Sequence, residues 1–165
     1  MKKPFKVAIQ MDPWNVINVN TDSTYLIALE AQKRGYELFS YQPSNLTLNL
    51  GVVRATGNFV SLNHERKNFY NLKKTQTINL DNFDVVLVRQ DPPFDMNYIT
   101  ATYLLEYLSK NTLVLNNPKY IRDYPEKLSM FLFKKILMKL LNFTKLIKPQ
   151  LLNLYMAMEG RVLKN

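Results

Sequence analysis

The sequence has no cysteine, only four glycines and a single histidine in 165 residues. The lack of cysteine excludes disulfides, thiolate zinc sites and thiol nucleophiles. Four glycines are too few to wrap a phosphate in a glycine-rich loop, and neither G-x-G-x-x-G nor G-x-x-x-x-G-K-[ST] occurs. The sequence therefore favours neither dinucleotide binding nor P-loop nucleotide binding.

Long apolar runs are also missing. Met1-Lys2-Lys3 resembles the start of a signal peptide, but Pro4, Lys6, Gln10 and Asp12 interrupt the apolar core that such a peptide needs. No uninterrupted apolar stretch elsewhere is long enough to span a bilayer. With 47% hydrophobic and 21% charged residues, we expect a soluble cytoplasmic chain with one globular core and no membrane partner.

Acidic residues are scarce at one end of the chain. Residues 1–125 hold 14 basic and 11 acidic side chains, whereas residues 126–165 hold 8 basic and 2 acidic ones. The net charge of +9 thus belongs mainly to the C-terminal part. A nucleic-acid partner is not expected, because residues 1–125 carry an excess of only three basic side chains, too few for a clustered basic binding face.

The stretch Arg89-Gln90-Asp91-Pro92-Pro93-Phe94-Asp95 stands directly behind the apolar run Val85 to Val88. This run predicts a strand buried on both faces, and the two prolines forbid its continuation. A helix is predicted from Met96 to Lys110, with its tyrosines mainly in the core or at interfaces. In an open α/β sheet, a turn at the carboxyl end of a strand is where ligands bind.

The same pattern of strand, polar residue and proline occurs twice more. One strand is predicted over Phe5 to Met11, before Asp12-Pro13, and another, buried, over Thr112 to Leu115, before Asn116-Asn117-Pro118. A helix capped by Asp22 or Ser23 and a strand over residues 36–41 complete a β-α-β unit. The core face of this helix is predicted to contain Leu26, Ile27, Leu29 and Ala31.

Residues 5–117 are therefore predicted to form a doubly wound parallel α/β sheet, with the turns after Met11, Val88 and Leu115 at one edge. A small hairpin outside the core is predicted around Gly51. Between Thr56 and Asp81 the pattern is too polar to predict clear elements.

Together these motifs resemble the amino-terminal domain of the bacterial glutathione synthetases, which are ATP-grasp ligases. The matching blocks follow the family's order across residues 5–128: Met11-Asp12-Pro13, Asp22-Ser23, Glu30 to Leu38, Arg89 to Asp95, Ala101-Thr102-Tyr103, and Asn117-Pro118 through Arg122-Asp123 to Glu126-Lys127-Leu128. The resemblance implies a Rossmann-like pre-ATP-grasp domain over residues 1–125 and the start of an ATP-grasp domain over residues 126–165. Gln90 departs from the lysine common in the family, which puts a charge role there in doubt.

The resemblance also implies an activity. The family joins γ-glutamylcysteine to glycine through an acyl phosphate, using ATP with Mg²⁺ or Mn²⁺, and its full-length members form homo-oligomers. By position, Lys127 would contact nucleotide phosphates, while Asp12, Ser23 and Arg89 would lie towards the peptide substrate. The metal ligands are expected beyond this part of the family's sequence, so no catalytic or metal-binding residue is predicted here.

Each of these residues has an ordinary structural alternative. Arg89 could form a surface ion pair with Asp91 or Asp95. Asp12 could be the Asx-turn residue before Pro13, and Ser23 could only cap a helix. A non-catalytic peptide-binding module is the corresponding alternative for the function.

The resemblance ends after Leu128, before the family's phosphate loop, which is close to K-P-L-x-G-x-G-G. Codons for K-P-L-Y-G-N-G-G, written AAA CCT CTA TAT GGC AAT GGA GGG, give N-L-Y-M-A-M-E-G when they are read one base late. Residues 153–160 have this sequence. We therefore expect a frameshift between Leu128 and Asn153, a non-native helical tail, and no ligase activity in the chain as it stands.

The competing interpretation treats Lys127 to Lys148 as a native basic amphipathic helix. Such a helix would bind a membrane surface or a groove on a partner protein. Its apolar positions wrap most of the helix and leave only a weak polar face.

Overall fold

A computed structural model describes residues 4–63, 68–91 and 93–123. These residues form seven strands and three α-helices: β1 Lys6–Gln10, α1 Ser23–Lys33, β2 Glu37–Asn49, β3 Val52–Leu62, β4 Tyr70–Leu72, β5 Gln76–Asn79, β6 Val85–Val88, α2 Met96–Leu105, β7 Leu113–Leu115 and α3 Pro118–Asp123. Single 3-10 turns lie at Trp14–Val16 and Leu80–Asn82.

All seven strands belong to one sheet, in the order β4-β3-β2-β1-β6-β7, with β5 also paired to β3. The neighbours β2-β1-β6-β7 are parallel, as the β-α-β pattern predicts, with Gln10 opposite Tyr41 on one side and Val88 on the other. The carboxyl ends of β1, β6 and β7 therefore lie at one edge. The described part of the chain confirms an α/β fold with the predicted edge.

The sheet is mixed rather than fully parallel, which corrects one prediction. Among the described strands, β3 alone runs against the others, because it returns from β2 through the two-residue turn Leu50-Gly51. Both turn residues have positive φ, 51° and 76°, as the hairpin turn that suits twisted strands requires. The hairpin stands at the predicted place, but its strands are 13 and 11 residues long and belong to the core.

The region with no clear prediction, Thr56 to Asp81, holds most of β3 together with β4 and β5. Both short strands pair with β3, at Val60–Leu62 and Arg54–Gly57 respectively. Their own residues are largely exposed. These residues form strands because they pair with β3, not because of a local apolar pattern.

The two faces of the sheet are covered by different helices. On one face α1 packs through Tyr25 and Ala28 against Val7, Ile9 and Leu38. On the other face Ala101 and Leu105 of α2 pack in the cluster that contains Ala8, Phe39, Val86 and Val88. This layering is the one expected of a sheet with helices on both sides.

The predicted core face of α1 was partly wrong. Leu26 and Ile27 are 58% and 44% exposed, while Thr24, Tyr25 and Ala28 are buried. Because residues three and four apart share a helix face, contact through Tyr25 and Ala28 turns Leu26 and Ile27 away from the sheet. Apolar content alone did not identify the buried side.

Tyr103 and Tyr107, predicted mainly in the core or at interfaces, are 53% and 60% exposed, so they do not lie in the core, and their place at an interface stays a prediction. Two other burial predictions fail. In β7, Leu113 and Leu115 are 54% and 45% exposed, because among the described strands β7 lies at the sheet edge and pairs only with β6. In β6 itself, Val86 and Val88 are buried but Val85 and Leu87 only half-buried. No helix in the described ranges is long and apolar enough to cross a membrane.

Candidate peptide-binding crevice at the carboxyl ends of β1 and β6

The order of the strands creates a crevice beside β1. The chain leaves β1 through α1 to β2 on one side, whereas β6 pairs with the other side of β1. The loop that follows β1 therefore leads towards β2, away from β6. The loops that follow β1 and β6 diverge, and a crevice opens between them. Ligands of open α/β sheets bind at such a switch point. We call this place, formed by residues 10–12, 23–24 and 89–91, the switch-point crevice.

Arg89 extends from the end of β6 to the start of α1. Its Nη2 donates a hydrogen bond to Ser23 Oγ at 2.6 Å, and its Nε donates to Thr24 Oγ1 at 3.2 Å. Its backbone N–H donates to the Gln10 carbonyl oxygen at 2.8 Å. The guanidinium is thus held by two hydroxyl groups while its backbone is anchored to β1.

No ion pair of Arg89 occurs within residues 4–63, 68–91 and 93–123. The alternative in which Arg89 pairs with Asp91 or Asp95 is therefore contradicted for the described chain. Asp95 instead caps α2 by accepting from the Tyr98 backbone N–H. A guanidinium without a carboxylate partner retains its charge and N–H groups for an anionic ligand.

Asp12 closes the crevice from the β1 side. Its Oδ2 accepts a hydrogen bond from the Asp91 backbone N–H at 2.8 Å, which ties the loop after β1 to the loop after β6. The structure therefore brings Asp12, Ser23 and Arg89 to the same end of the sheet, as predicted. The described hydrogen bond of the Asp12 side chain thus runs to the loop after β6 and not to the turn before Pro13.

Ser23 does not cap α1. Asp22 is the N-cap, and its carboxylate accepts from the backbone N–H groups of Thr24 and Tyr25. Ser23 is the first helical residue, and its hydroxyl oxygen accepts a hydrogen bond from the Arg89 guanidinium. The cap fixes the first turn of α1, and this turn presents both hydroxyl groups that hold Arg89.

At the same strand ends, but on the side away from Arg89, the Gln10 side chain contacts the Gln90 side chain. The fully buried Gln10 donates through Nε2 to Gln90 Oε1. Gln10 Oε1 finds no hydrogen-bond partner among the described residues. Gln90 thus accepts from the amide N–H of Gln10 but leaves the Gln10 oxygen without a described partner.

The Asp91 side chain influences Tyr98 on α2. Burial raises the pKa of the Tyr98 hydroxyl, and the negative charge of Asp91 raises this pKa further. Both effects keep Tyr98 neutral at physiological pH. The entrance to α2 therefore offers a hydroxyl group, not a phenolate, beside the crevice.

Arg122, from the matched block that follows Pro118, has a structural role. It donates to Glu106 at 2.6 Å and to Thr102 at 3.2 Å, and it lies over the Tyr103 ring at 4.0 Å from the centroid. These contacts join α3 to α2. Lys127 lies outside the described residues, so its predicted contact with nucleotide phosphates stays a prediction.

Sequence reasoning missed two residues of the crevice, Thr24 and Gln10. Thr24 is only 3% exposed and Gln10 is fully buried, although both are polar. A buried polar residue at a strand end or in a first helical turn is the signal that could have pointed to them, because such groups need a hydrogen-bond partner. Their partners, Arg89 and Gln90, are 65 and 80 residues away in sequence.

Comparison with known proteins agrees with this architecture. Residues 5–122 match the family model described as "Prokaryotic glutathione synthetase, N-terminal domain". The glutathione synthetase of Brucella melitensis is 46% identical over 123 residues, 74% of this chain and 39% of the relative. That of Agrobacterium fabrum is 43% identical over 141 residues, 86% of this chain and 44% of the relative.

A third relative extends the similarity beyond the described residues. The glutathione synthetase of Rhodopseudomonas palustris is 39% identical over 148 residues, 90% of this chain and 44% of the relative. An alignment of this length must include part of residues 126–165. The chain spans less than half the length of these relatives. Because the family model covers most of the chain, the protein belongs to the prokaryotic glutathione synthetase family and carries its N-terminal domain.

Proposed function

We propose that this chain is the peptide-binding part of a glutathione synthetase. The full-length enzyme would activate the carboxylate of γ-glutamylcysteine with ATP as an acyl phosphate, which the amine of glycine attacks to give glutathione, ADP and phosphate. It would work as a homo-oligomer in the cytoplasm, without nucleic-acid or membrane partners. Family membership and the geometry of the crevice support this proposal.

The observation that carries the proposal is the state of Arg89. Its guanidinium is held by Ser23 and Thr24 and has no carboxylate partner in the described part of the chain. γ-Glutamylcysteine carries two carboxylates, and an arginine binds a carboxylate through two parallel hydrogen bonds. Asp12, joined to Asp91 in the same crevice, would bind the positively charged end of this substrate.

The ATP and metal site is proposed to lie elsewhere. Across residues 4–63, 68–91 and 93–123, no group of three or more acidic or histidine side chains could hold a metal ion. The ligands of Mg²⁺ or Mn²⁺ are therefore proposed to lie outside the described residues, and no step is assigned to a metal here. After Lys127 the sequence has one glycine and one acidic residue, Glu159, too few for a nucleotide clamp with metal ligands.

The proposal predicts binding without turnover. Residues 1–165 should bind γ-glutamylcysteine but release no phosphate from ATP when γ-glutamylcysteine and glycine are present. Loss of a single electrostatic stabiliser already slows catalysis by about a hundredfold or more, so loss of the whole clamp should abolish turnover. Phosphate release that Lys127→Ala abolishes would contradict the proposal, because it would require a nucleotide site in the tail.

The second candidate is a non-catalytic peptide-binding module. The same crevice supports it, since every residue assigned to the peptide lies before residue 92. Resequencing the gene and translating all three frames past Leu128 distinguishes the two. A glycine-rich loop and acidic metal ligands in a neighbouring frame would support the ligase with a frameshift, and their absence from every frame would leave the module. The amphipathic tail helix lies outside the described residues and stays a prediction.

A further inference from the structure

The segment that carries Arg89 is held by few described backbone hydrogen bonds. β6 ends at Val88, and the two prolines that follow Asp91 have no N–H to donate. The Arg89 N–H donates to the Gln10 carbonyl oxygen, and the Asp91 N–H donates to the Asp12 carboxylate. The direction of the Arg89 side chain therefore depends on what else holds this segment.

The Gln10 side chain supplies a third contact. Its Nε2 donates to Gln90 Oε1, and Gln10 is fully buried. Successive residues of an extended chain point to opposite faces of a sheet. Ala8 packs in the cluster that contains residues of α2, so Gln10, two residues later, faces α2 as well. The bond holds Gln90 on the α2 face, which leaves Arg89 on the α1 face, where two hydroxyl groups of α1 accept its hydrogen bonds.

The stability of the fold does not account for a glutamine at position 10. The other residues from Val7 to Met11 are buried and apolar, and Gln10 Oε1 is buried with no partner among the described residues. A buried polar atom without a partner costs stability, and an apolar side chain of similar size avoids this cost. What the Gln10 side chain adds in the described chain is its bond to Gln90.

We infer that Gln10 is a positioning residue for Arg89: by holding Gln90, it directs the Arg89 guanidinium towards the first turn of α1 and the switch-point crevice. The inference rests on the proposed function, in which Arg89 binds a carboxylate of γ-glutamylcysteine. An arginine binds a carboxylate through two parallel hydrogen bonds, so its affinity depends on the orientation of the guanidinium as well as on its charge. Gln10 acts through Arg89 and needs no contact with the ligand.

The first measurement needs no peptide. In nuclear magnetic resonance spectra of the full 165-residue chain, the Arg89 Nε–H gives a signal that is identified by its absence from the spectrum of Arg89→Lys. Because this group donates to Thr24, its hydrogen should exchange with water more slowly than that of an exposed arginine. We expect Gln10→Leu to raise the exchange rate about tenfold, as the loss of one hydrogen bond does.

The second measurement is the affinity for γ-glutamylcysteine, by calorimetry. Gln10→Leu should weaken binding about tenfold, because the charge of Arg89 remains while its orientation is lost. In a chain that already carries Arg89→Ala, Gln10→Leu should have no further effect. Two substitutions that act through one contact are non-additive in this way, whereas independent effects add.

Gln32→Leu is the matched control. Gln32 of α1 donates to the Leu62 carbonyl oxygen and accepts from the Leu62 N–H, both at 2.7 Å, and neither residue belongs to the crevice. Gln32→Leu should lower the midpoint of urea denaturation but leave the Arg89 exchange rate and the affinity unchanged. Gln10→Leu should show the reverse pattern, since it removes an unpartnered oxygen together with its one hydrogen bond.

Two substitutions of Gln90 test the same bond from the other side. Gln90→Met removes the acceptor and should raise the exchange rate of the Arg89 Nε–H as Gln10→Leu does. Gln90→Glu keeps an acceptor for Gln10 Nε2 and should retain the rate of the wild type. Both variants keep Gln10, so they test the bond even if Gln10→Leu does not fold.

The outcomes separate this inference from the proposed function. The inference is overturned if Gln10→Leu and Gln90→Met exchange the Arg89 hydrogen at the rate of the wild type, if Gln10→Leu binds γ-glutamylcysteine as tightly as the wild type, or if it weakens binding equally with and without Arg89→Ala. Peptide binding by the wild type stands in each of these cases. If the wild type binds no γ-glutamylcysteine, the proposed function fails, and the exchange rates alone decide whether Gln10 positions Arg89.

Discussion

Arg89 owes its position to hydroxyl groups rather than to carboxylates. The sequence identified the residue and the strand end that holds it, because two prolines must terminate β6. It did not identify the partners, since Ser23 and Thr24 stand 66 and 65 residues earlier. Only the pairing of β6 with β1 beside the start of α1 brings these groups together.

Substitution of Arg89 should reduce peptide binding strongly. We expect Arg89→Ala to weaken γ-glutamylcysteine about 30-fold or more, because truncation leaves a substrate carboxylate without its charged partner. Arg89→Lys should recover part of this loss, since lysine supplies charge but not the planar fork. Calorimetric titration of each variant measures the effect.

Arg54→Ala is the control, because Arg54 lies on β3, outside the residues that form the crevice. Equal losses of affinity in Arg89→Ala and Arg54→Ala would mean that general positive charge, and not the crevice, attracts the substrate.

Two buried tyrosines differ in one respect. The Tyr25 hydroxyl donates to the Asn63 carbonyl oxygen at 2.7 Å, whereas the buried Tyr41 hydroxyl has no partner among the described residues. We expect Tyr41→Phe to raise the free energy of unfolding by about 1 kcal/mol, and Tyr25→Phe to lower it by about the same amount. Urea denaturation at neutral pH measures both. Destabilisation by Tyr41→Phe equal to that of Tyr25→Phe would contradict this assignment.

The stability of the fold should also decline in alkali because of Tyr41. Burial raises the pKa of its hydroxyl above the usual value. The folded state therefore keeps Tyr41 neutral while the unfolded chain ionises at a pH of about 10. Stability is fully present below that pH and falls as pH rises above it. Urea denaturation across this range should show a shallower decline for Tyr41→Phe than for the wild type, and identical slopes would refute the prediction.

At the scale of elements, the sequence predicts β1, α1 and β6 because each of them has a local pattern of its own, such as a helix cap or a terminating proline. Asp22 caps α1, Gly35 follows it with φ of 79°, and prolines end the strand signals. The segments β4 and β5 have no such signal, since their side chains are mostly exposed and their pairing partner is β3. Local patterning cannot reveal an element that a distant strand stabilises.

Gly57 shows how closely β3 and β2 approach each other. A methyl group added at Gly57 would overlap the Ser40 carbonyl oxygen and lie 2.9 Å from Tyr41 Cβ, whereas one added at Gly51 would meet nothing within 4 Å. We expect Gly57→Ala to cost about 3 kcal/mol through overpacking, and Gly51→Ala only about 1 kcal/mol from its positive φ. Urea denaturation of both variants tests this, and a cost at Gly57 no greater than at Gly51 would contradict it.

At the scale of the whole molecule, the chain corresponds to the first part of its relatives, 39% to 44% of their length in those compared. If the N-terminal domain is intact, an ATP-grasp portion supplied as a separate chain should restore some ligase activity to the mixture. Phosphate release that requires both chains, ATP, γ-glutamylcysteine and glycine would support this. The Arg89→Ala variant is the control, because its mixture should need about 30-fold or more γ-glutamylcysteine to reach the same rate. No activity at any mixing ratio, despite peptide binding by the N-terminal chain, would contradict the prediction.

The crevice is assembled by side-chain contacts between residues at least 65 positions apart, from Arg89–Thr24 to Gln10–Gln90. Contacts of such long sequence separation form slowly during folding, because a large loop must close before they stabilise anything. A refolding intermediate in which α1 has docked on β1 and β2 would already contain a helix and parallel strands. This intermediate would still lack the contact between Arg89 and Ser23. The recovery of peptide binding during refolding therefore reports when β6 pairs with β1.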